Sequence, residues 1–216
     1  MVALGEFKPS DYWATHVNSI FYGIKGPEIH NHFQTYVSLD HRLAHALANE
    51  FFATAQNQQR PENDKWIVQE WGVGNGNLAT CFLSRLQEID SDDEVYPYVY
   101  YILCDESEEI LKGVRANSRL QEHVGKFSTV RVHAEHLDCF RPHSVSKIIT
   151  NEIWDDLATK VLLKHQGLYY EEYLCPFLKA GALPDGSEVL LEQFQNKDLE
   201  KLAEIPNFLD TIHWER

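Results

Sequence analysis

The sequence predicts an α/β fold: a parallel sheet wound by helical crossovers, with a helical segment before it and a β-hairpin after its fourth strand. Three observations predict it. The stretch "WIVQEWGVGNGNLATCFLSRL" (66–86) passes from β-branched and aromatic residues through three close glycines into an apolar, helically periodic segment. Strand-like and helix-like segments then alternate as far as Thr150, the pattern of right-handed βαβ units. Beyond them, Gln166-Gly167 in "LKHQGLYYEEYL" reads as a turn between two strands.

Each element follows from local pattern. "SLDHRLAHALANEFFATA" (38–55) sets Leu39, Leu43, Ala46, Leu47, Ala48 and Phe51 at helical spacing, and "ATAQNQQRPENDK" (53–65) closes it as a solvated loop. Trp66–Trp71 reads as the first strand. Leu78–Leu86 reads as a helix with Asn77 as N-cap and residues 78, 79, 82, 83 and 86 on one apolar face. After a solvated "DSDD" loop (90–93), Val99–Cys104 is the second strand, and a helix carrying Ile110, Leu111 and Val114 starts near Ser107. Val130–Val132 gives a third strand and Val145–Thr150 a fourth. "LPDGSEVLLEQF" (183–194) offers a turn and one more strand, and a short acidic helix precedes "TIHWER". Only four or five parallel strands can be filled, fewer than a doubly wound sheet commonly has, so the sheet is small or the chain is a piece of something longer. The expected division is a helical lid segment over 1–60 and a ligand-binding core over 61–216, incomplete at its C-terminal end.

Composition narrows the classes of function. The 216 residues carry a formal charge of −14 with no Lys/Arg cluster, which argues against nucleic acid as a partner. Cys81, Cys104, Cys139 and Cys175 lie far apart without a CxxC pair, and the first three sit in or beside apolar segments, as buried free thiols do. "MVALGEFKPSDYW" lacks a secretory or transit signature, and no apolar run approaches the ~18 residues that span a membrane. A soluble, cytoplasmic protein is expected.

A strand–glycine loop–helix unit binds ligands at the carboxyl edge of its sheet. Gly72, Gly74 and Gly76 permit tight backbone geometry and close approach of a ligand; the plain alternative is a tight turn. The spacing is GxGxG, not the GxGxxG of dinucleotide sites. Glu70 stands two residues before the first glycine, where it would repel a pyrophosphate and attract an ammonium or sulfonium. Asp105 ends the second strand, where a carboxylate can accept both hydroxyls of a ribose; otherwise it is a solvated turn carboxylate beside Glu106 and Ser107.

At these residues the sequence resembles the class I S-adenosylmethionine (SAM) dependent methyltransferases, and within them the MidA family, the mitochondrial complex I assembly methyltransferase and its bacterial relatives. Four patches carry the resemblance: "EWGVGNGNLA" (70–79), "YYILCDESEEIL" (100–111), "ITNEIWDDLATKVL" (149–162) and "HFQTYVSLDHRLAHALA" (32–48), the last keeping Phe33 and Thr35. Departures are His32, Val37-Ser38, Asp156 and Ala158, and the family's later strands have no counterpart.

The resemblance implies a Rossmann-like sheet with SAM as cofactor. Glu70, Gly72, Gly74, Gly76 and Asn77 would lie at its methionine end, Asp105 and Glu106 at the ribose, and Ala134 and Glu135 against adenine. It implies that Asn151, Glu152 and Asp155, with Asp156, converge on the cofactor edge as orienting or proton-accepting groups, with Asn151 also touching cofactor. Asp155 or Asp156 could equally cap a helix.

Eleven histidines include the pairs His30/His32 and His41/His45, read as surface pairs without a third ligand, so no metal is assigned. The expected activity is methyl transfer to a nitrogen or carbon acceptor, either a protein side chain or a carrier-bound acyl group. A SAM-binding scaffold without turnover, a metal-assisted natural-product methyltransferase and a nicotinamide oxidoreductase are the alternatives. The open edge of a short sheet calls for a homodimer or a neighbouring domain.

Overall fold

The structure, a computed structural model, describes residues 1–25, 36–59, 65–154, 157–179, 199–205 and 207–216. In chain order its elements are β1 (Val2–Ala3), β2 (Lys8–Pro9), α1 (Ser10–Lys25), α2 (Tyr36–Leu39), α3 (Arg42–Gln56), β3 (Trp66–Trp71), α4 (Asn77–Ile89) and β4 (Val99–Asp105). Then come α5 (Glu108–Ala116), α6 (Ser118–Gln121), β5 (Phe127–Arg131), β6 (Lys147–Thr150), β7 (Leu162–His165), β8 (Leu168–Glu171), β9 (Tyr173–Leu178), α7 (Leu199–Leu202) and β10 (Ile212–Glu215). The chain divides into two compact units, one of residues 25–154 and one of residues 1–24 with 155–216.

The 25–154 unit is the expected α/β layer. Its four strands run in the order β5-β4-β3-β6, every neighbouring pair parallel. Central strands of a parallel sheet are buried on both faces and so read as continuous apolar runs, as β3 does, with five of six residues buried. Helix α4 seals one face with Leu78, Ala79, Phe82, Leu83 and Leu86. Phe82 bridges Tyr101 of β4 and Phe51 of α3, with ring centroids 5.5 and 5.7 Å apart. A second, polar knot lies in the same unit: buried His123 joins Ser84 Oγ at 3.0 Å to the Tyr96 hydroxyl at 2.8 Å.

Several boundaries differ from the sequence reading. The third parallel strand is Phe127–Arg131, shifted toward the N-terminus, and the fourth starts at Lys147. Asn77 is not the N-cap of α4; Gly76 is, in a left-handed conformation. The "DSDD" loop is not wholly solvated, because Asp90 is buried and its carboxylate accepts the amides of Glu94, Val95 and Tyr96.

In the other unit, β7 and β8 form the expected hairpin, with Gln166 (φ 49°) and Gly167 (φ 80°) in the turn, since a two-residue hairpin turn of this type needs positive φ at both positions. A second sheet, not expected from local pattern, completes this unit. There β9 pairs antiparallel with β1, β2 and β10 around a core that includes Leu4, Trp13, Ile20, Leu202 and Phe208. The short helix near the C-terminal end is α7; the strand expected within 183–194 lies outside the described residues.

Candidate functional site

Parallel register brings the functional segments to one edge. Trp71 sits opposite Cys104 and Thr150, and Asp105 opposite Arg131. The chain therefore leaves β3 at Gly72, β4 at Glu106, β5 at Val132 and β6 at Asn151 along the same carboxyl edge.

All three loop glycines have positive φ: 71° at Gly72, 51° at Gly74 and 75° at Gly76. Two are also held by close packing. A Cβ on Gly72 would stand 3.4 Å from Ile153, and one on Gly76 would stand 3.3 Å from Val114 Cγ1. Gly74 is different, because a Cβ there would meet nothing within 4 Å. Its backbone thus faces open space at the sheet edge. Among the described residues the amides of Gly74 and Asn75 have no hydrogen-bond partner, whereas those of Gly72, Val73, Gly76 and Asn77 do.

Asparagines that the sequence reading passed over brace this loop. Asn75 Nδ2 donates to the Ser38 carbonyl at 2.9 Å, and Asn117 Nδ2 to the Asn75 carbonyl at 3.2 Å. Asn77, freed from capping, donates to the carbonyls of Val37 (2.8 Å) and Asp40 (3.1 Å), so it fastens α2 and its following turn to the head of α4.

Glu70, expected to attract an ammonium or sulfonium, is buried. It is 4% exposed, on the face of the sheet shared with Tyr101, whose hydroxyl donates to Glu70 Oε2 at 2.7 Å. Burial pushes its carboxyl up to about 8, with the Tyr101 hydroxyl pulling it down and the Asp105 charge raising it further. Without a cation nearby, this carboxyl keeps its proton at neutral pH.

Asp105 is pushed up to about 6 by burial, against the downward pull of the amides it accepts. Those amides are Ser107 (2.9 Å, to Oδ1) and Val73 (3.2 Å, to Oδ2). The Glu106 amide is a third, which leaves about one of the carboxylate's four acceptor places open. The neighbouring turn is stitched to the end of β5: Val132 donates its amide to the Asp105 carbonyl at 2.9 Å, and Arg131 Nε donates to the Glu106 carbonyl at 3.0 Å. His133, another residue not foreseen, lies with Nε2 3.5 Å from the exposed Glu106 carboxylate, and its Nδ1 accepts the Glu135 amide.

The remaining expected residues are placed as follows. Ala134 and Glu135 occupy the turn after β5, Ala134 half-buried and Glu135 exposed. Asn151 is half-buried directly after β6, and Glu152 is exposed with φ at 50°, a left-handed conformation forced on a residue that is not glycine. Ile153 docks on Gly72, and Trp154 is 69% exposed. Asp155, Asp156, Phe33, Thr35, His30 and His32 lie outside the described residues. The rings of His41 and His45 lie 4.6 Å apart, and among the described residues no three His, Cys, Asp or Glu side chains converge as metal ligands. No helix among them is long and apolar enough to cross a membrane.

Neither a protein-family model nor a curated protein sequence matches this chain. Among solved structures, it is similar to a COG1565 superfamily member from Burkholderia thailandensis bound to S-adenosyl-homocysteine, at 19% identity and a TM-score of 0.48, over 71% of this chain and 34% of that one. It is also similar to a native COG1565 superfamily protein from the same organism, at 16% identity and a TM-score of 0.49, over 88% of this chain and 47% of that one. The chain thus spans less than half the length of either.

Proposed function

We propose that this chain binds SAM at the carboxyl edge of its parallel sheet and transfers the methyl group to a nitrogen or carbon acceptor. One observation carries the reading: an open, left-handed glycine at Gly74, in a loop that follows the strand of Glu70 and is bonded through the Val73 amide to the Asp105 carboxylate. The donor set fits the cofactor. The amides of Gly74 and Asn75, without a partner among the described residues, suit its carboxylate. Glu70 supplies the counter-charge for an ammonium or sulfonium, and the remaining acceptor place on Asp105 suits a ribose hydroxyl. A phosphorylated nucleotide would bring its anions against the Asp105 carboxylate without supplying a cation for Glu70. Val132–Glu135 would border the adenine.

When bound, SAM supplies an activated methyl group, so the protein's contribution is alignment and proton handling. The braced glycine loop provides alignment. Asn151 and Glu152, at the end of β6, are the residues for orienting the acceptor or taking its proton, and the left-handed conformation of Glu152 fixes where its carboxylate leaves the backbone. The similarity of the 149–162 segment to the MidA family supports a protein side chain as acceptor, with a carrier-bound acyl group as the second choice.

Thermal-shift and calorimetric titrations with SAM, S-adenosylhomocysteine and NADH test the cofactor. Stabilisation by both sulfur nucleosides and not by NADH is expected; binding of NADH alone overturns the reading. Transfer of label from methyl-tritiated SAM to a lysate fraction tests turnover. Binding without transfer leaves a SAM-holding scaffold.

A further inference from the structure

The pairing of Glu70 with Tyr101 has a consequence for how a cation enters the site. Val68 and Tyr101 are register partners, as are Glu70 and Leu103, so Tyr101 lies one residue pair below Glu70 on the same face. Its ring runs up that face to deliver the hydroxyl to Glu70 Oε2 at 2.7 Å. Tyr101 is fully buried and packed edge-on against Phe82, so the hydroxyl has a fixed address. A buried phenol needs a hydrogen-bond partner, and the one it has here is the carboxyl.

The other groups facing Glu70 do not stabilise a charge on it. Register places Ile149 of β6 and Leu103 of β4 on either side, and Phe82 comes from α4. Among the described residues the titratable groups that act on Glu70 are Tyr101 and Asp105 of β4, with the Cys104 thiol on the other face, and none of the three is a cation. An ionised carboxyl in that setting is costly until a positive charge arrives.

We propose that Tyr101 is a positioning residue that holds the Glu70 carboxyl ready for a cationic ligand, and that ligand binding ejects the Glu70 proton to solvent. The step balances. The empty site holds the neutral acid, its O–H bond breaks heterolytically, the electron pair stays on the carboxylate facing the ammonium, and one proton passes to buffer. This rests on the cofactor reading above.

Calorimetry with S-adenosylhomocysteine, run from about pH 6 to above pH 8 in buffers of different ionisation enthalpy, reads both affinity and protons released. The expected result is affinity rising about tenfold per pH unit and flattening above the Glu70 value of about 8, with nearly one proton released per ligand on the rising limb. Glu70→Gln removes that rise. Tyr101→Phe, checked for folding by its melting curve, moves the flattening point upward, because the lost hydroxyl had favoured the ionised form. A merely structural tyrosine would leave that point where it was. Asp105→Asn keeps the rise above about pH 6, separating Glu70 from the titration of Asp105 itself. Binding that is independent of pH, or a Tyr101→Phe protein with an unmoved flattening point, overturns this inference alone. Absence of binding at every pH overturns the cofactor reading and this inference with it.

Discussion

The Asp105 carboxylate accepts the Val73 amide at 3.2 Å, tying the end of β4 to the glycine loop that follows β3. The same side chain accepts the Ser107 amide, which turns the chain into α5. Any ribose contact would thus be made by a group already holding two loops in place.

Asp105→Ala should cost stability as well as affinity. It strands the amides of buried Val73 and half-buried Ser107, and unfolding in urea should show a loss of about 2 kcal/mol. Asp105→Asn, which keeps one acceptor, should fall between. A wild-type midpoint for the alanine variant would show that the loops hold without it.

Gly72 and Gly74 should respond differently to alanine. Both have positive φ, so each substitution should cost about 1–2 kcal/mol in backbone strain. At Gly72 the new methyl comes into ordinary contact with Ile153 at 3.4 Å, so the cost there is that of the backbone alone. At Gly74 it enters open space, so ligand binding should weaken by more than the fold does. Paired melting and binding measurements on the two variants check this contrast.

Glu70 should make the protein less stable as pH rises. Its folded value of about 8 lies above its ordinary 4.5, so the native state holds a proton that the unfolded chain has lost. The contribution is complete below 4.5 and fades until about 8, at up to about 1.4 kcal/mol per pH unit. Glu70→Gln should flatten denaturation midpoints across that window. An unchanged slope would mean the carboxyl is ionised in the empty fold.

His123 should act in the opposite direction. Burial lowers it below 6.5, and its two hydroxyl partners are satisfied by the neutral ring. The unfolded chain takes up the proton first, so stability should fall as pH drops through 6.5 toward the folded value. His123→Ala should cost about 2–3 kcal/mol at neutral pH and remove that acid limb, measured by urea midpoints at several pH values.

Sequence exposed what is local. The first strand was readable to its end residues because β3 is buried along almost its whole length, and the hairpin because Gln166-Gly167 dictates its turn. The glycine loop after the first strand and the place of Asp105 at the end of the second were also legible. What depends on distant partners was not. Tyr101 becomes significant only once register sets it below Glu70, and Asn77 serves α2 rather than its own helix. The burial of Glu70 was hidden because nothing in its neighbours along the chain reveals that Leu103 and Ile149 stand on either side of it. The second sheet escaped because its strands are short, β1 and β2 having two residues each, and their partner comes more than 160 residues later.

That pairing sets an order of events at the ribosome. The α/β unit is one continuous stretch, 25–154, so it can fold as soon as it has emerged. Val2–Ala3 and Lys8–Pro9 must wait for Tyr173–Leu178, exposed for several seconds at ordinary elongation rates and available meanwhile to chaperones. A pause in translation shortly before residue 173 should therefore lengthen the time the amino-terminal strands spend unpaired, without touching the 25–154 unit.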